Sequence, residues 1–194
     1  MKARLLELAE IQIGYQAKGR IKDDPDGTYR IIQSRDCPSD GEIRWDELLH
    51  IEPDRDPERY VVRDGDVLFL AKGGRRTAVA VHNPELHTVA VSTFYILRVR
   101  DQSAILPEYL AWYLNNAAHE YLAVEATRGT TVPLVPSKAL ANLPVEVPSM
   151  PVQKTVAALD AVLQKERRLT SELVEKRAQL ITALCVCAVA RKER

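Results

Sequence analysis

The sequence predicts an α+β protein, in which a mixed-sheet domain is followed by one long C-terminal coiled-coil helix. Residues 143–153 contain three prolines and separate a body rich in loops from a stretch without Pro or Gly. Short β-branched segments bounded by turn residues fill the body, and one amphipathic helix interrupts them. These observations predict a domain over residues 1–148 and a helix over residues 149–194.

The predicted helix runs from Val152 to about Ala190 and would be about 58 Å long at 1.5 Å per residue, which exceeds most globular helices. Apolar residues recur at alternating steps of three and four, and Glu166, Thr170 and Arg177 fall on the same seam. The pattern predicts association with another long helix. The alternative is a terminal helix packed along its own domain. A second apolar flank (Val162, Leu169, Val174, Ile181) argues against that alternative. The predicted seam residues are Val156, Leu159, Leu163, Leu173, Leu180 and Leu184.

The body is expected to contain short regular elements joined by polar loops. Pro53 and Pro57 exclude a regular element over 51–59, and Asp40-Gly41 predicts a turn. Asp64-Gly65 predicts a tight turn between two strands. The predicted elements are a helix over 4–10, strands over 29–33, 60–62, 66–71, 78–81 and 89–99, and a helix from Pro107 that ends before Gly129.

Length and composition restrict the class of protein. With 194 residues, 46% of them hydrophobic, the chain can bury one core plus an appendage. No apolar run approaches the roughly 20 residues that span a bilayer, and the N-terminal segment is too acidic for a signal peptide. We therefore expect a cytoplasmic protein without membrane association. Three cysteines, Cys37, Cys185 and Cys187, are expected to be idle thiols.

The formal net charge of zero is unevenly divided. Residues 151–194 hold nine Lys and Arg against five Asp and Glu, a balance of +4, which leaves −4 for residues 1–150. An acidic body argues against indiscriminate DNA binding but permits a local basic surface.

Three loops of the body combine cations with glycines, which let the backbone approach phosphates. Lysine, threonine and backbone N–H groups anchor phosphate oxygens, and arginine can also grip the guanine edge. If the fold gathers these loops on one side, they form a positive surface for double-stranded DNA. The alternative is that they are cationic because they are solvated. The candidate DNA-binding residues are Lys18, Arg20 and Lys22 in the first loop, Lys72, Arg75, Arg76 and Thr77 in the second, and Arg128, Thr130, Thr131 and Lys138 in the third.

Several segments resemble, in order and spacing, the target-recognition half of a type I restriction–modification DNA-specificity subunit. Each segment is weak evidence alone, whereas their succession over nearly the whole chain is more specific. The segments are Gly27–Ile32, Gly65–Phe69 with the glycine-rich loop after it, Pro107–Asn115, Arg128–Val132, the Leu143–Gln153 junction and the long helix.

The resemblance implies a domain that reads half of a bipartite DNA site, followed by a spacer helix that pairs with another spacer. The usual subunit contains two such halves, and this sequence departs from that pattern in having one. It therefore looks like a half-subunit, and a homodimer through the helices, antiparallel as in the family, would restore two readers. The resemblance also implies a modification subunit that binds S-adenosylmethionine and an ATP- and Mg²⁺-dependent restriction subunit as partners, with no cofactor in this chain.

No catalytic set emerges from the sequence. Asp64 and Asp66 could hold Mg²⁺ as a nuclease pair, but no Glu-x-Lys or Asp-x-Lys triplet follows to complete the site. The histidines (His50, His82, His87, His119) lack zinc-ligand spacing, so no metal site is expected. The Asn-Pro-Pro-aromatic segment of an adenine methyltransferase is missing. Three functions remain open: a non-catalytic DNA-specificity module, a small metal-dependent endonuclease, and a coiled-coil adaptor that does not read DNA.

Overall fold

A computed structural model of the chain describes residues 1–37, 42–72, 77–127 and 133–191. The chain divides into two compact units, residues 1–158 and residues 159–194. The long helix begins at Met150, so its first nine residues belong to the first unit. The α+β class, with a mixed sheet and a long C-terminal helix, is confirmed.

The first unit alternates short strands with short helices. The strands are β1 (Lys2–Arg4), β2 (Ala9–Ile13), β3 (Tyr29–Ile32), β4 (Leu49–Ile51), β5 (Asp66–Leu70), β6 (Ala78–Ala80), β7 (Thr88–Ala90), β8 (Phe94–Val99) and β9 (Pro144–Glu146). The helices are α1 (Leu5–Leu8), α2 (Pro107–Asn115), α3 (His119–Thr127), α4 (Ser137–Ala141) and α5 (Met150–Arg191), and single 3-10 turns lie at Ser34–Asp36, Trp45–Glu47 and Glu58–Tyr60.

A four-stranded antiparallel sheet in the order β2-β8-β5-β6 forms the centre of the first unit. Every residue of β5 is buried, because its two faces serve different clusters of side chains. Val67 and Phe69 pack with the side chains of α2, whereas Leu68 and Leu70 pack with Ile32. The sheet is therefore covered on both faces, and its strands can be almost entirely apolar.

Two smaller sheets complete the unit. The sheet β4-β3-β7 is mixed, since β3 pairs antiparallel with β4 and parallel with β7. Its side chains form a third cluster that includes Tyr15, Ile31 and Val89. Strand β1 pairs with β9, which joins the start of the domain to the residues that precede α5.

The strand predicted over 66–71 is β5, but the prediction of a strand over 60–62 that pairs with it is wrong. Tyr60 ends a 3-10 turn, and Val61 forms an isolated antiparallel bridge with Val89. The turn itself exists, with Gly65 at a φ of 79°. Strand β5 pairs with β6 and β8 instead, because a strand buried on both faces needs a partner at each edge to bond its backbone groups.

The predicted strand over 89–99 is two strands in different sheets. The chain turns at Ser92 and Thr93, where Ser92 N–H donates to the carbonyl of Tyr15 (2.8 Å). Strand β7 therefore ends against β3, and β8 enters the central sheet. The polar pair Ser92-Thr93, which interrupts the apolar run at this turn, was the sequence signal of the division.

The two helices predicted within the body, over 4–10 and from Pro107 onward, are also shorter than expected. The first is α1 alone, and the residues from Ala9 onward form β2 because they pair with β8. The second breaks at residues 116–118 into α2 and α3, which leaves Ala117 exposed. Strands were correctly predicted over β3 and β6. Strands β1, β4 and β9 and helix α4 were not anticipated.

The start of α5 is anchored to the first unit by one buried amide. Gln153 has 0% exposure; its Oε1 accepts from Leu106 N–H (2.9 Å), and its Nε2 donates to the carbonyls of Ala104 and Pro148 (3.0 Å each). Val156, one turn later, packs against the main core. The predicted seam residue Val156 therefore packs within the first unit of the same chain.

Gln153→Ala should lower the free energy of unfolding by about 1–3 kcal/mol, because it leaves buried donors and acceptors without partners. The comparison is Gln179→Ala, which removes an exposed glutamine bonded only to Glu175 (3.4 Å) in the same helix. This control should stay within about 0.5 kcal/mol of the wild type in urea denaturation. Equal midpoints for the two variants would exclude the anchoring role of Gln153.

Candidate nucleic-acid interface

The ends of four strands lie together at one end of the central sheet. Ile13 pairs with Tyr95, Leu70 with Phe94, and Phe69 with Ala78. The last residues of β2 and β5 are therefore level with the first residues of β6 and β8. We call this end of the sheet the loop end. The first two candidate DNA-binding loops, which follow β2 and β5, both leave the sheet there.

The described ends of the second and third loops lie side by side. Lys72 forms an antiparallel bridge with Leu134, and Val135 N–H donates to the carbonyl of Ala71 (3.0 Å). The Tyr95 hydroxyl donates to the carbonyl of Val135 (3.0 Å), and burial raises the pKa of this hydroxyl. Lys138 follows in α4 and is exposed. The structure thus brings Lys72 and the segment leading to Lys138 together at the loop end.

The second loop is closed where it returns to the sheet. Thr77 accepts at its carbonyl from Leu70 N–H (2.8 Å), and the Asn115 side chain exchanges two hydrogen bonds with the backbone of Ala78 (2.7 and 2.8 Å). Thr77 is only 7% exposed, so its side chain does not lie on the surface. The other candidates of these loops, Arg75, Arg76, Arg128, Thr130 and Thr131, lie outside the described residues.

The first loop is attached to the body by Tyr15. This residue is 1% exposed, its hydroxyl donates to the Asp54 carboxylate, and its ring meets Tyr60 edge-on at 5.6 Å. Burial raises the pKa of Tyr15, whereas the hydrogen bond from Tyr15 lowers the pKa of Asp54. The residue before Tyr15 is Gly14, and the site requires glycine because a Cβ there would collide with the carbonyl groups of Ala90 and Val91.

The first loop lines a cleft of about 410 Å³ whose charges nearly balance. Lys18, Arg20 and Lys22 all line it. Lys18 Nζ lies 3.3 Å from the Asp54 carboxylate. An approaching phosphate would therefore meet carboxylates as well as cations. Four acidic residues share the lining: Asp23, Asp24, Glu52 and Asp54.

A second cleft of about 410 Å³ opens at the loop end and contains two arginines that the sequence analysis missed. Arg55 and Arg59 line it together with Gly14, Tyr95 and Ser137, and none of its described lining residues is acidic. Arg55 Nη2 donates to the carbonyl of Gln16 (2.7 Å) and so holds the first loop. The Arg59 guanidinium lies 4.7 Å from the centroid of the Tyr60 ring.

These arginines were missed because acidic residues surround them in the sequence. The fold gives these carboxylates other hydrogen-bond partners, although the Asp54 carboxylate also lies 3.6 Å from Arg55 Nε. Glu52 accepts from the Thr28 hydroxyl (2.9 Å), and Asp54 from Tyr15. Glu58 accepts from the Tyr29 hydroxyl (2.6 Å), which raises the pKa of Tyr29 to about 12. Alternation of acids with arginines over 52–59 is the one sequence signal that could have suggested the separation.

Of the two candidate nuclease residues, Asp64 and Asp66, the second has a structural role. Asp66 is 1% exposed, and its carboxylate accepts two hydrogen bonds from the Arg98 guanidinium (2.9 Å each) and one from Arg63 N–H (2.8 Å). The hydrogen bond to Asp66 raises the pKa of Arg98. Asp64 is exposed and accepts from Asn83 N–H (2.8 Å). Among the described residues, no cluster of three or more His, Cys, Asp or Glu could hold a metal ion.

Asp66→Ala should cost about 3 kcal/mol of stability, because Arg98 is 26% exposed and would lose its partner for both hydrogen bonds. The control Asp64→Ala should cost less than about 1 kcal/mol, since it breaks one exposed bond. Urea denaturation measures both. Mg²⁺-dependent DNA cleavage that is lost in an equally stable Asp66→Ala protein would instead favour the endonuclease.

Comparison with solved structures identifies the fold. An S subunit of the type I restriction–modification system from M. genitalium has a TM-score of 0.59 at 15% identity, over 92% of this chain and 42% of that chain. The HsdS subunit from Thermoanaerobacter tengcongensis has a TM-score of 0.63 at 20% identity, over 92% and 46%. A chain from a study of complex assembly and conformational transition in the type I R-M system has 0.62 at 21%, over 93% and 42%.

These likenesses confirm, at the level of fold, the resemblance to a type I specificity subunit. The chain spans less than half the length of each of these structures. No protein-family model matches it, and no curated protein matches it in sequence. Among the described residues, no helix has the length and apolarity needed to cross a membrane.

Proposed function

We propose that this chain is a non-catalytic DNA-specificity module of a type I restriction–modification system, whose domain reads one half of a DNA site. The observation that carries this proposal is the gathering of the cationic loops. The first two loops leave the sheet at the loop end, and Lys72 there pairs with Leu134 of the third. The shared fold with type I specificity subunits supports the same function.

The proposed reading surface consists of the predicted loop residues other than the buried Thr77, together with Arg55 and Arg59. Arg59 has the stronger case among the described cations, because its cleft contains no described carboxylate. Lys18, Arg20 and Lys22 share their cleft with acids, so they contribute to orientation more than to attraction. A body with a balance of −4 then repels DNA elsewhere and favours binding at this end.

The long helix would supply the second reader by pairing with a second copy of the chain. In residues 159–189 the seam leucines are 41–67% exposed, which leaves a row of apolar residues, interrupted by three polar ones, without cover in one chain. The pair is antiparallel, as the resemblance implies. A symmetric pair of domains requires a symmetric DNA site.

Chemistry would come from other chains. A modification subunit would bind S-adenosylmethionine, and a restriction subunit would use ATP and Mg²⁺. This chain would bring both to the target and needs no cofactor of its own. The endonuclease is not favoured, since the Asp66 carboxylate is engaged by Arg98. No observation favours the adaptor over the DNA-specificity module.

Arg59→Ala, and separately Arg75→Ala with Arg76→Ala, should weaken DNA binding without unfolding the protein. A lost base contact costs about 1–3 kcal/mol at one position of the site, whereas a lost phosphate contact weakens all sequences and lowers the salt slope by roughly one. Fluorescence anisotropy across a salt titration separates the two cases. The titration is done first with a pool of random-sequence DNA and then with the sequence that the wild-type protein selects from that pool.

The matched control is Arg63→Ala with Arg100→Ala. Both arginines are exposed, and they flank β5 and β8 at the opposite end of the sheet. Equal losses for the control pair and the loop-end variants would contradict the proposed surface. A wild-type protein that prefers no sequence yet captures partner subunits would establish the adaptor instead.

Leu163→Asp with Leu173→Asp should convert the dimer into a folded monomer, because unpaired carboxylates are costly in a buried seam. The control is Ala161→Asp with Thr182→Asp, which adds the same charges to exposed positions on the opposite face of the helix. Light scattering gives the mass of each variant. A seam variant that remains dimeric would exclude pairing through α5.

A further inference from the structure

The polar residues of the seam carry information that an all-leucine seam would not. The seam consists of two rows of residues along the exposed helix, and within each row the residues are spaced seven apart. One row contains Leu163, Thr170, Arg177 and Leu184, and the other contains Leu159, Glu166, Leu173 and Leu180. Glu166 and Arg177 are the charged members. They are separated by eleven residues, about 16 Å along the axis, so they do not form an ion pair within one helix.

The charges oppose parallel pairing. In a parallel pair in register, each residue faces its own copy. Glu166 would then face a second Glu166, and Arg177 a second Arg177. Like charges that face each other across the seam disfavour such a pair. Charges of this kind commonly decide the partner and the orientation of helices in coiled coils.

The spacing suits antiparallel pairing. From Leu159 to Leu184 the seam steps are four, three, four, three, four, three and four residues, and they read the same from either end. If Glu166 of one chain is set opposite Arg177 of the other, every remaining layer follows. Leu159 then faces Leu184, Leu163 faces Leu180, and Thr170 faces Leu173. Each layer takes one residue from each row.

The register is also specified against slippage. A shift of seven residues in one direction sets Glu166 opposite Leu184 and Arg177 opposite Leu173. A shift in the other direction sets Glu166 opposite Thr170 and Arg177 opposite Leu159. Either shift buries charges without opposite partners, which is costly.

We propose that the antiparallel pair of α5 helices adopts a single register, fixed by two symmetric ion pairs between Glu166 of each chain and Arg177 of the other. This inference rests on the homodimer proposed above and adds the arrangement of its interface. The occupant of the exposed row is a second copy of the chain because the row complements itself in both spacing and charge.

Charge exchange tests the register in the full-length chain. Glu166→Lys alone sets two cations against each other in both charged layers of the dimer, and Arg177→Glu alone sets two carboxylates against each other there. We expect each single variant to raise the dimer dissociation constant about tenfold or more. The double variant Glu166→Lys with Arg177→Glu should return to within about threefold of the wild type. Sedimentation velocity measures all four proteins.

Mixing the two single variants provides an independent readout. In the mixed pair the introduced lysine of one chain faces the introduced glutamate of the other, and the unchanged Arg177 faces the unchanged Glu166. An equimolar mixture should therefore dimerise as tightly as the wild type. Both substituted positions are exposed in a single chain, and circular dichroism confirms that the variants keep the helix.

Cross-linking supplies the orientation of the two helices. With Cys185 and Cys187 replaced by Ser, the variant Leu159→Cys with Leu184→Cys should form an intermolecular disulfide, because the proposed register sets these two positions opposite each other. Leu159→Cys alone should not form one, since its two copies lie at opposite ends of the antiparallel pair.

Three outcomes would overturn the proposal. A double variant no better than the single variants excludes the ion pairs, and a disulfide formed by Leu159→Cys alone indicates parallel helices. A wild-type chain that stays monomeric at all concentrations assigns the exposed row to another protein. Each of these leaves sequence-selective DNA binding by the wild-type domain unaffected, so failure of the register is distinguishable from failure of the proposed function.

Discussion

The pairing of β5 with β8 is the interaction on which the rest of the domain depends. At one end of the pair, Asp66 lies opposite Arg98, and their side chains form the buried two-bond ion pair. At the other end, Leu70 lies opposite Phe94 at the start of the loop end. A slip of one residue would separate the ion pair and exchange the two faces of β5. The position of the candidate DNA-binding loops is thus set by the same register that builds both cores.

The segment over residues 52–59, with four acids and two arginines, shows how an acidic stretch can present positive charge. Its carboxylates accept hydrogen bonds from Thr28, Tyr15 and Tyr29, whereas Arg55 and Arg59 face the second cleft. Hydrogen bonding within the body therefore leaves the cleft of Arg55 and Arg59 without a described carboxylate, although Asp54 lies 3.6 Å from Arg55. An acidic domain can in this way offer a local basic surface, which is what selective rather than indiscriminate DNA binding requires.

The helix divides its residues between two tasks. Gln153 and Val156 bind its start to the first unit, while the row from Leu159 onward stays exposed. Polar residues within that row reduce the affinity that leucines alone would provide, but they distinguish one partner geometry from the others. In the proposed function, specificity of assembly and specificity for DNA would thus reside in separate parts of the chain.

The sequence by itself determined the features that depend on local pattern: the long helix, the strands β3, β5 and β6, the turn at Gly65, and the class of fold. Only the tertiary structure decided the features that depend on distant partners. It paired β5 with β8 rather than with residues 60–62, divided the run over 89–99 between two sheets, buried Thr77, and freed Arg59 from its acidic neighbours. The reason is physical: periodicity reports which face of an element is buried, whereas backbone pairing and ion pairing select partners that lie far away in the chain.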